Sequence, residues 1–242
     1  MAGAAASPAR KRAKRGAASA VDALELTRQI TDLVPAAYWS ASKLPPLCMQ
    51  HHLTALNVEQ TAVQRSLDAL KRKGDILMFH LGGPHSDVLV RTNDYLAHIE
   101  LCTQRVRADD QRVFALFKTI AAQNALKRSI TQVVLEGDYR LVEEEIQLLQ
   151  RAGFLTLRDG DSYWFAVPSV GSYVADLAAG QRILLDRIKR KKFKECYATD
   201  LLAIKSRKIR LPLRLHLLDL IGAERVETFD TSSGRLLRLT RL

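Results

Sequence analysis

The sequence predicts a mainly α protein with small β-hairpins, an α+β fold made of three similar units in tandem. One observation is an order of elements, three helices and then a two-stranded hairpin, that reads three times between Ala20 and Leu242. Another is a template shared by the third helix of each unit: an apolar residue, Leu three positions on, Gly four positions further. Leu67/Leu70/Gly74, Ile146/Leu149/Gly153 and Leu215/Leu218/Gly222 fit it. Each Gly is expected to close its helix in the left-handed conformation and release the chain into the hairpin. Three helices and a hairpin form the winged-helix variant of helix-turn-helix. The expected domains are therefore winged helices at residues 20–106, 107–169 and 170–242, behind a tail at 1–19.

In the first unit, Val21, Leu24, Leu26, Ile30 and Leu33 recur at helical spacing, and Pro35 ends that helix. Leu44-Pro45-Pro46 leads into a short helix over Leu47–Ala55. Asn57 is the expected N-cap of the third helix, which carries Val63, Leu67 and Leu70 inward and stops at Gly74. Strands are expected from Ile76 to Leu81 and from Val88 to Val90, around a turn at Gly82 to Asp87.

The second unit repeats this order. A helix covers Gln111–Gln123, Ser129 caps a second, and Asp138 starts a third with Val142, Ile146 and Leu149 inward. Strands follow at Phe154–Leu157 and Tyr163–Val167. In the third unit the expected helices are Val174–Lys192, Glu195–Ile204 and Leu211–Ile221, with strands at Val226–Phe229 and Leu236–Leu239.

Charge is concentrated rather than spread. The 242 residues carry a net +11. Gln181 to Arg214 holds twelve Lys and Arg against three acids, a local +9. Such a concentration is an electrostatic footprint for a polyanion. The expected duplex-binding residues are Lys189, Arg190, Lys191, Lys192, Lys194, Lys205, Arg207, Lys208, Arg210 and Arg214. They flank the second helix of the third unit, while the third helix is mostly Leu after Arg214 and His216. Residues of that kind contact phosphates and do not read sequence, so the expected partner is double-stranded DNA, or RNA, bound with sequence tolerance. The Ala/Ser/Gly-rich tail carries Arg10, Lys11, Arg12, Lys14 and Arg15, a pattern that reads as a nuclear localisation signal.

Several chemistries are excluded or left without support. No apolar run reaches the ~18–20 residues of a membrane span. Three well-separated cysteines read as reduced thiols. There is no Gly-x-Gly-x-x-Gly, no His-Arg-Asp, no Asp-Phe-Gly and no P-loop, so no kinase machinery is visible and no cofactor or catalytic residue is assigned. Cys48, His51 and His52 are the one metal-like grouping; a fourth ligand is not near in sequence, no metal site is expected, and these side chains should divide between core and surface. Glu143-Glu144-Glu145 makes the third helix of the second unit acidic, which suits a protein contact or spacer better than a DNA reader. Trp39, Tyr163 and Trp164 read as core rather than as base-stacking residues.

The chain also resembles the serine/threonine kinase 19 family. The residues that carry the resemblance are Leu44-Pro45-Pro46, Ala152 to Asp159, and Tyr163 to Pro168. Closest are Asp219-Leu220-Ile221-Gly222-Ala223, Thr231 to Gly234 and Leu236 to Leu239. The resemblance implies three winged helices, nucleic-acid binding, nuclear location on chromatin, and a role in transcription-coupled nucleotide excision repair. The implied partners are the stalled RNA polymerase, the repair factors around it and the repair helicase complex. The chain departs from the family at Lys205 to Lys208, where it is shorter and more basic. A homodimer is compatible with this reading. The competing class of function is a winged-helix docking subunit that binds protein alone.

Overall fold

The computed structural model describes residues 21–56, 59–82 and 87–240. The expected N-cap Asn57, most of the first hairpin turn, and the basic tail cluster lie outside the described residues.

The first unit runs α1 (Ala23–Asp32), α2 (Ala36–Ser42), β1 (Leu47–Met49), α3 (Gln50–Thr54), α4 (Gln60–Lys73), β2 (Ile76–His80), β3 (Asp87–Arg91) and α5 (Thr92–Thr103). The second runs α6 (Ala108–Gln123), β4 (Ser129–Thr131), α7 (Gln132–Gly137), α8 (Glu143–Arg151), β5 (Leu155–Asp159) and β6 (Ser162–Phe165). The third runs α9 (Val170–Lys189), β7 (Glu195–Tyr197), α10 (Ala198–Leu202), α11 (Leu213–Gly222), β8 (Val226–Thr231) and β9 (Gly234–Leu239). Each unit holds a three-stranded antiparallel sheet with the second hairpin strand in the centre, in the orders β1-β3-β2, β4-β6-β5 and β7-β9-β8. No helix among the described residues is long and apolar enough to cross a membrane.

Three differences from the sequence reading share one cause. The helices expected at Leu47–Ala55, from Ser129, and at Glu195–Ile204 each begin instead with a three-residue strand. These segments pair with the returning strand of a hairpin distant in sequence: Cys48 faces Leu89, Ile130 faces Tyr163, and Cys196 faces Leu237. A three-residue segment is too short to show a period of two, so its partner decides its conformation. Pro35, expected only to end a helix, also starts one as the N-cap of α2, in keeping with its fixed φ. The third helix of the second unit starts at Glu143 rather than Asp138, because Arg140 takes a left-handed φ of 54°. Glu145 turns back to accept the Val142 N–H at 3.1 Å. Val142, expected inward, is exposed.

The helix closures match the template twice and shift once. Gly74 (φ 77°) and Gly153 (φ 82°) are left-handed, and the next N–H reaches back to Leu70 and Leu149. In the third unit the left-handed residue is Glu224 (φ 55°), and Arg225 N–H reaches Leu220 O at 2.9 Å. Gly222 instead sits in the last turn of α11 and serves a different need. A Cβ there would stand 2.7 Å from the His51 carbonyl carbon. Glycine at 222 lets α11 and α3 touch backbone to backbone.

Most of the core is continuous. Phe154, between α8 and β5, packs against Tyr95 of α5 and against Phe114 and Phe117 of α6. Tyr95 Oη donates to Ala166 O at 2.8 Å, joining the first two units. The same core extends through Trp39, Tyr173, Leu177, Leu211 and Leu215 into the third unit. A second cluster, around Leu184, Ile188, Leu201, Leu220 and Leu237, fills the rest of that unit. Trp39 and Tyr163 are buried, as expected of core residues; Trp164, expected with them, is only half-buried, with the Arg158 guanidinium 4.6 Å from its ring.

Candidate nucleic-acid interface

α11 packs on α3 and α9, and this junction decides what the third unit can present. Leu215, His216, Leu217, Asp219 and Leu220 are all buried. The Asp219 carboxylate is the centre. His51 Nε2 lies 2.8 Å and His52 Nε2 3.1 Å from its Oδ1, and Gln181 Nε2 donates to its Oδ2. Burial alone would raise the Asp219 pKa, but the bonds from His51 and His52 override it and hold the carboxyl far below its usual range. Burial lowers the pKa of His52 and of His216. The His216 ring lies against Gly180, where a Cβ would come within 2.6 Å of its Nδ1.

The expectation that Cys48, His51 and His52 divide between core and surface is overturned: all three are buried. Among the described residues, His51, His52 and Asp219 form a group with metal-ligand chemistry. The spacings are those of hydrogen bonds, since ligands each ~2.0–2.2 Å from one tetrahedral ion stand farther apart than 2.8 Å.

With α11 turned inward, the basic residues lie at its margins. Lys189 ends α9, Arg190 caps it, and Lys191, Lys192 and Lys194 form the turn into β7. That turn is ordered: Lys191 N–H bonds Ile188 O and Lys194 N–H bonds Lys191 O, both at 3.0 Å, and Leu239 N–H reaches Lys194 O at 3.1 Å. Lys205, Arg207, Lys208 and Arg210 lie on the loop from α10 to α11, and Arg214 stands in the first turn of α11. All ten are exposed.

The structure brings the two basic segments together. Asp186 and Arg187 of α9 and its cap Arg190 line one cleft with Ile204, Lys205 and Ser206 from the loop. Arg187 belongs to this surface although the sequence reading left it out. Arg210 is diverted. Its guanidinium pairs with Asp176 at 3.4 Å and lies over the Tyr38 ring at 5.9 Å, while Tyr38 Oη donates to Asp176 at 2.8 Å. Arg210 thus ties the third unit to the first. Among the described residues, none of the other nine makes an ion pair. Unpaired, exposed cations on an ordered frame attract phosphates without first giving up an internal partner.

The second unit presents the opposite charge. Glu143 and Glu144 are exposed on α8, while Glu145 pairs with Arg112. Val133 and Val142 are 74% and 55% exposed nearby in the chain.

Fold and site together define an α+β protein with three small antiparallel sheets and one exposed basic margin. The chain belongs to the family described as inactive serine-threonine protein kinase 19, whose model matches residues 29–239. It is 33% identical over 200 residues to winged helix repair factor 1 of Xenopus laevis, which covers 81% of this chain and 76% of that protein. It is 31% identical over 199 residues to winged helix repair factor 1 of Homo sapiens, covering 81% and 77%. A more distant relative, 28% identical over 197 residues and covering 75% and 62%, is named serine/threonine-protein kinase mug51 of Schizosaccharomyces pombe.

Proposed function

We propose that the protein is a non-catalytic nuclear scaffold of three tandem winged helices, at residues 20–106, 107–169 and 170–242. It binds duplex DNA through backbone phosphates and acts in transcription-coupled nucleotide excision repair, beside the stalled RNA polymerase and the repair helicase complex. The repair-factor names of the relatives and the thrice-repeated sheet support this reading. The observation that carries it is the set of nine exposed cations, without ion-pair partners among the described residues, around the end of α9 and the α10–α11 loop.

The binding mode follows from burial. A winged helix ordinarily sends its third helix into the major groove. Here α11 is committed to α3 through Asp219, so the third unit meets DNA through its flanking cations. Contacts to phosphate position a protein and carry no base code. Sequence tolerance suits a factor that works wherever a polymerase stalls. Reversing Lys191, Lys192, Lys194 and Lys205 to Glu should weaken binding to unrelated duplexes alike. Unchanged affinity in a folded variant would remove the DNA reading.

A docking role without DNA is the second reading. It is favoured by α8, where exposed acids replace the cations of a DNA reader. Intact partner binding in a charge-reversed protein that had never bound DNA would support it.

A further inference from the structure

Phe193 stands out among the seven phenylalanines. Phe79, Phe114, Phe117, Phe154 and Phe165 are in the core, and Phe229 is partly covered by the Arg238 guanidinium, 4.6 Å from its ring. Phe193 is 70% exposed. It sits in the turn between α9 and β7, with Arg190, Lys191, Lys192 and Lys194 within three residues; the one acid in that span, Glu195, is paired with Arg238 at 2.6 Å. The Lys192 Nζ lies 5.3 Å from the ring centre. The turn's hydrogen bonds to Ile188 and Leu239 hold the ring on a fixed backbone.

We propose that Phe193 is a base-stacking residue, and that the protein prefers DNA with an unpaired or unstacked base over fully paired duplex. This rests on the DNA-binding reading above and narrows its substrate class. A protein pocket that buried this ring would have to bury or neutralise the surrounding cations as well, at a desolvation cost. An opened nucleic acid meets both needs, since phosphates pair with the lysines and a base face covers the ring. An intact duplex hides its base faces in the stack, so the ring finds a partner only where that stack is broken, or where the ring itself wedges in from the groove.

The test uses the full chain and two DNAs of the same sequence and length, one fully paired and one with a central bubble. Affinities are measured by fluorescence anisotropy at fixed salt. Wild type should bind the bubble more tightly. Phe193→Ala should lose about 5- to 150-fold on the bubble, the fold-change equivalent to one base–aromatic stack of ~1–3 kcal/mol, and little on the duplex. Phe193→Trp should restore the preference, and its added emission should be quenched by the bubble. Equal losses on both DNAs, or no loss on either, overturn the proposal. If Phe193→Ala changes nothing while reversal of the lysines abolishes both affinities, stacking fails and phosphate binding stands. If reversal of the lysines changes nothing either, both fail together.

Discussion

Replacing Gly222 by Ala should pull α11 away from α3. The new Cβ would stand 2.7 Å from the His51 carbonyl carbon, which is backbone and cannot rotate aside. Two carbons meet at about 3.5 Å, and the His51 carbonyl oxygen lies closer still, so the helices must separate by at least about 0.8 Å. The His51–Asp219 contact, 2.8 Å in the native protein, would then stretch to at least about 3.6 Å, beyond hydrogen-bond reach. Overpacking of this kind costs about 1–3 kcal/mol. A lost bond to a charged group adds about 1.5–3 kcal/mol. A combined loss of about 2.5–6 kcal/mol lowers the melting midpoint of a chain this size by roughly 5–24 °C. Gly171→Ala is the control. It lies in α9 with nothing within 4 Å of the new Cβ, so it should be neutral or stabilise by up to about 1 kcal/mol. Thermal melts followed by circular dichroism compare the two. A Gly222→Ala protein that melts with wild type would refute backbone contact between α3 and α11.

Two further outcomes are expected. His52 and His216 have folded pKa values below their unfolded ones, so between about pH 7 and pH 5 the unfolded chain binds more protons than the native one. Stability should therefore fall as the pH drops through that window; His98, also lowered by burial, adds in the same direction. The Asp219 contribution has the depressed-carboxylate sign and is lost only at lower pH, below the ordinary Asp range of about 3.9. A melting midpoint that stays flat from about pH 7 to pH 5 would contradict neutral, buried histidines. Purified protein should transfer no phosphate from ATP, because the sequence carries neither a phosphate-cradling loop nor a kinase catalytic loop. Persistent turnover abolished by a single carboxylate substitution would reverse that expectation.

Local patterns made much of this architecture legible. The apolar periods of α1, α4 and α8, the left-handed Gly74 and Gly153, and the three hairpins are each written within a short window. The β1, β4 and β7 strands were not, since each is made by a partner far along the chain. The α5 helix was missed because the sequence reading assigned nothing to the segment after the first hairpin. The junction at Asp219 joins residues 168 positions apart, and no local window reports that a Leu-rich helix will use its Asp to hold two histidines. Gly222 fitted the helix-closing template for a reason other than the one the template supplied. The basic margin was legible because net charge needs no geometry. Its shape was not: Arg210 is spent on Asp176, Arg187 joins from α9, and Phe193 stands outside the core that holds most of its kind.

The most direct measurement is the dependence of duplex affinity on salt. If five or six of the exposed cations each neutralise a phosphate, log affinity against log salt falls with a slope of about −4.5 to −5.5, from roughly −0.9 per contact. Reversal of Lys191, Lys192, Lys194 and Lys205 should flatten that slope while the melting midpoint stays at its native value. A slope near zero for the native protein, or an undiminished slope in the reversed one, would place the DNA site elsewhere or nowhere on this chain.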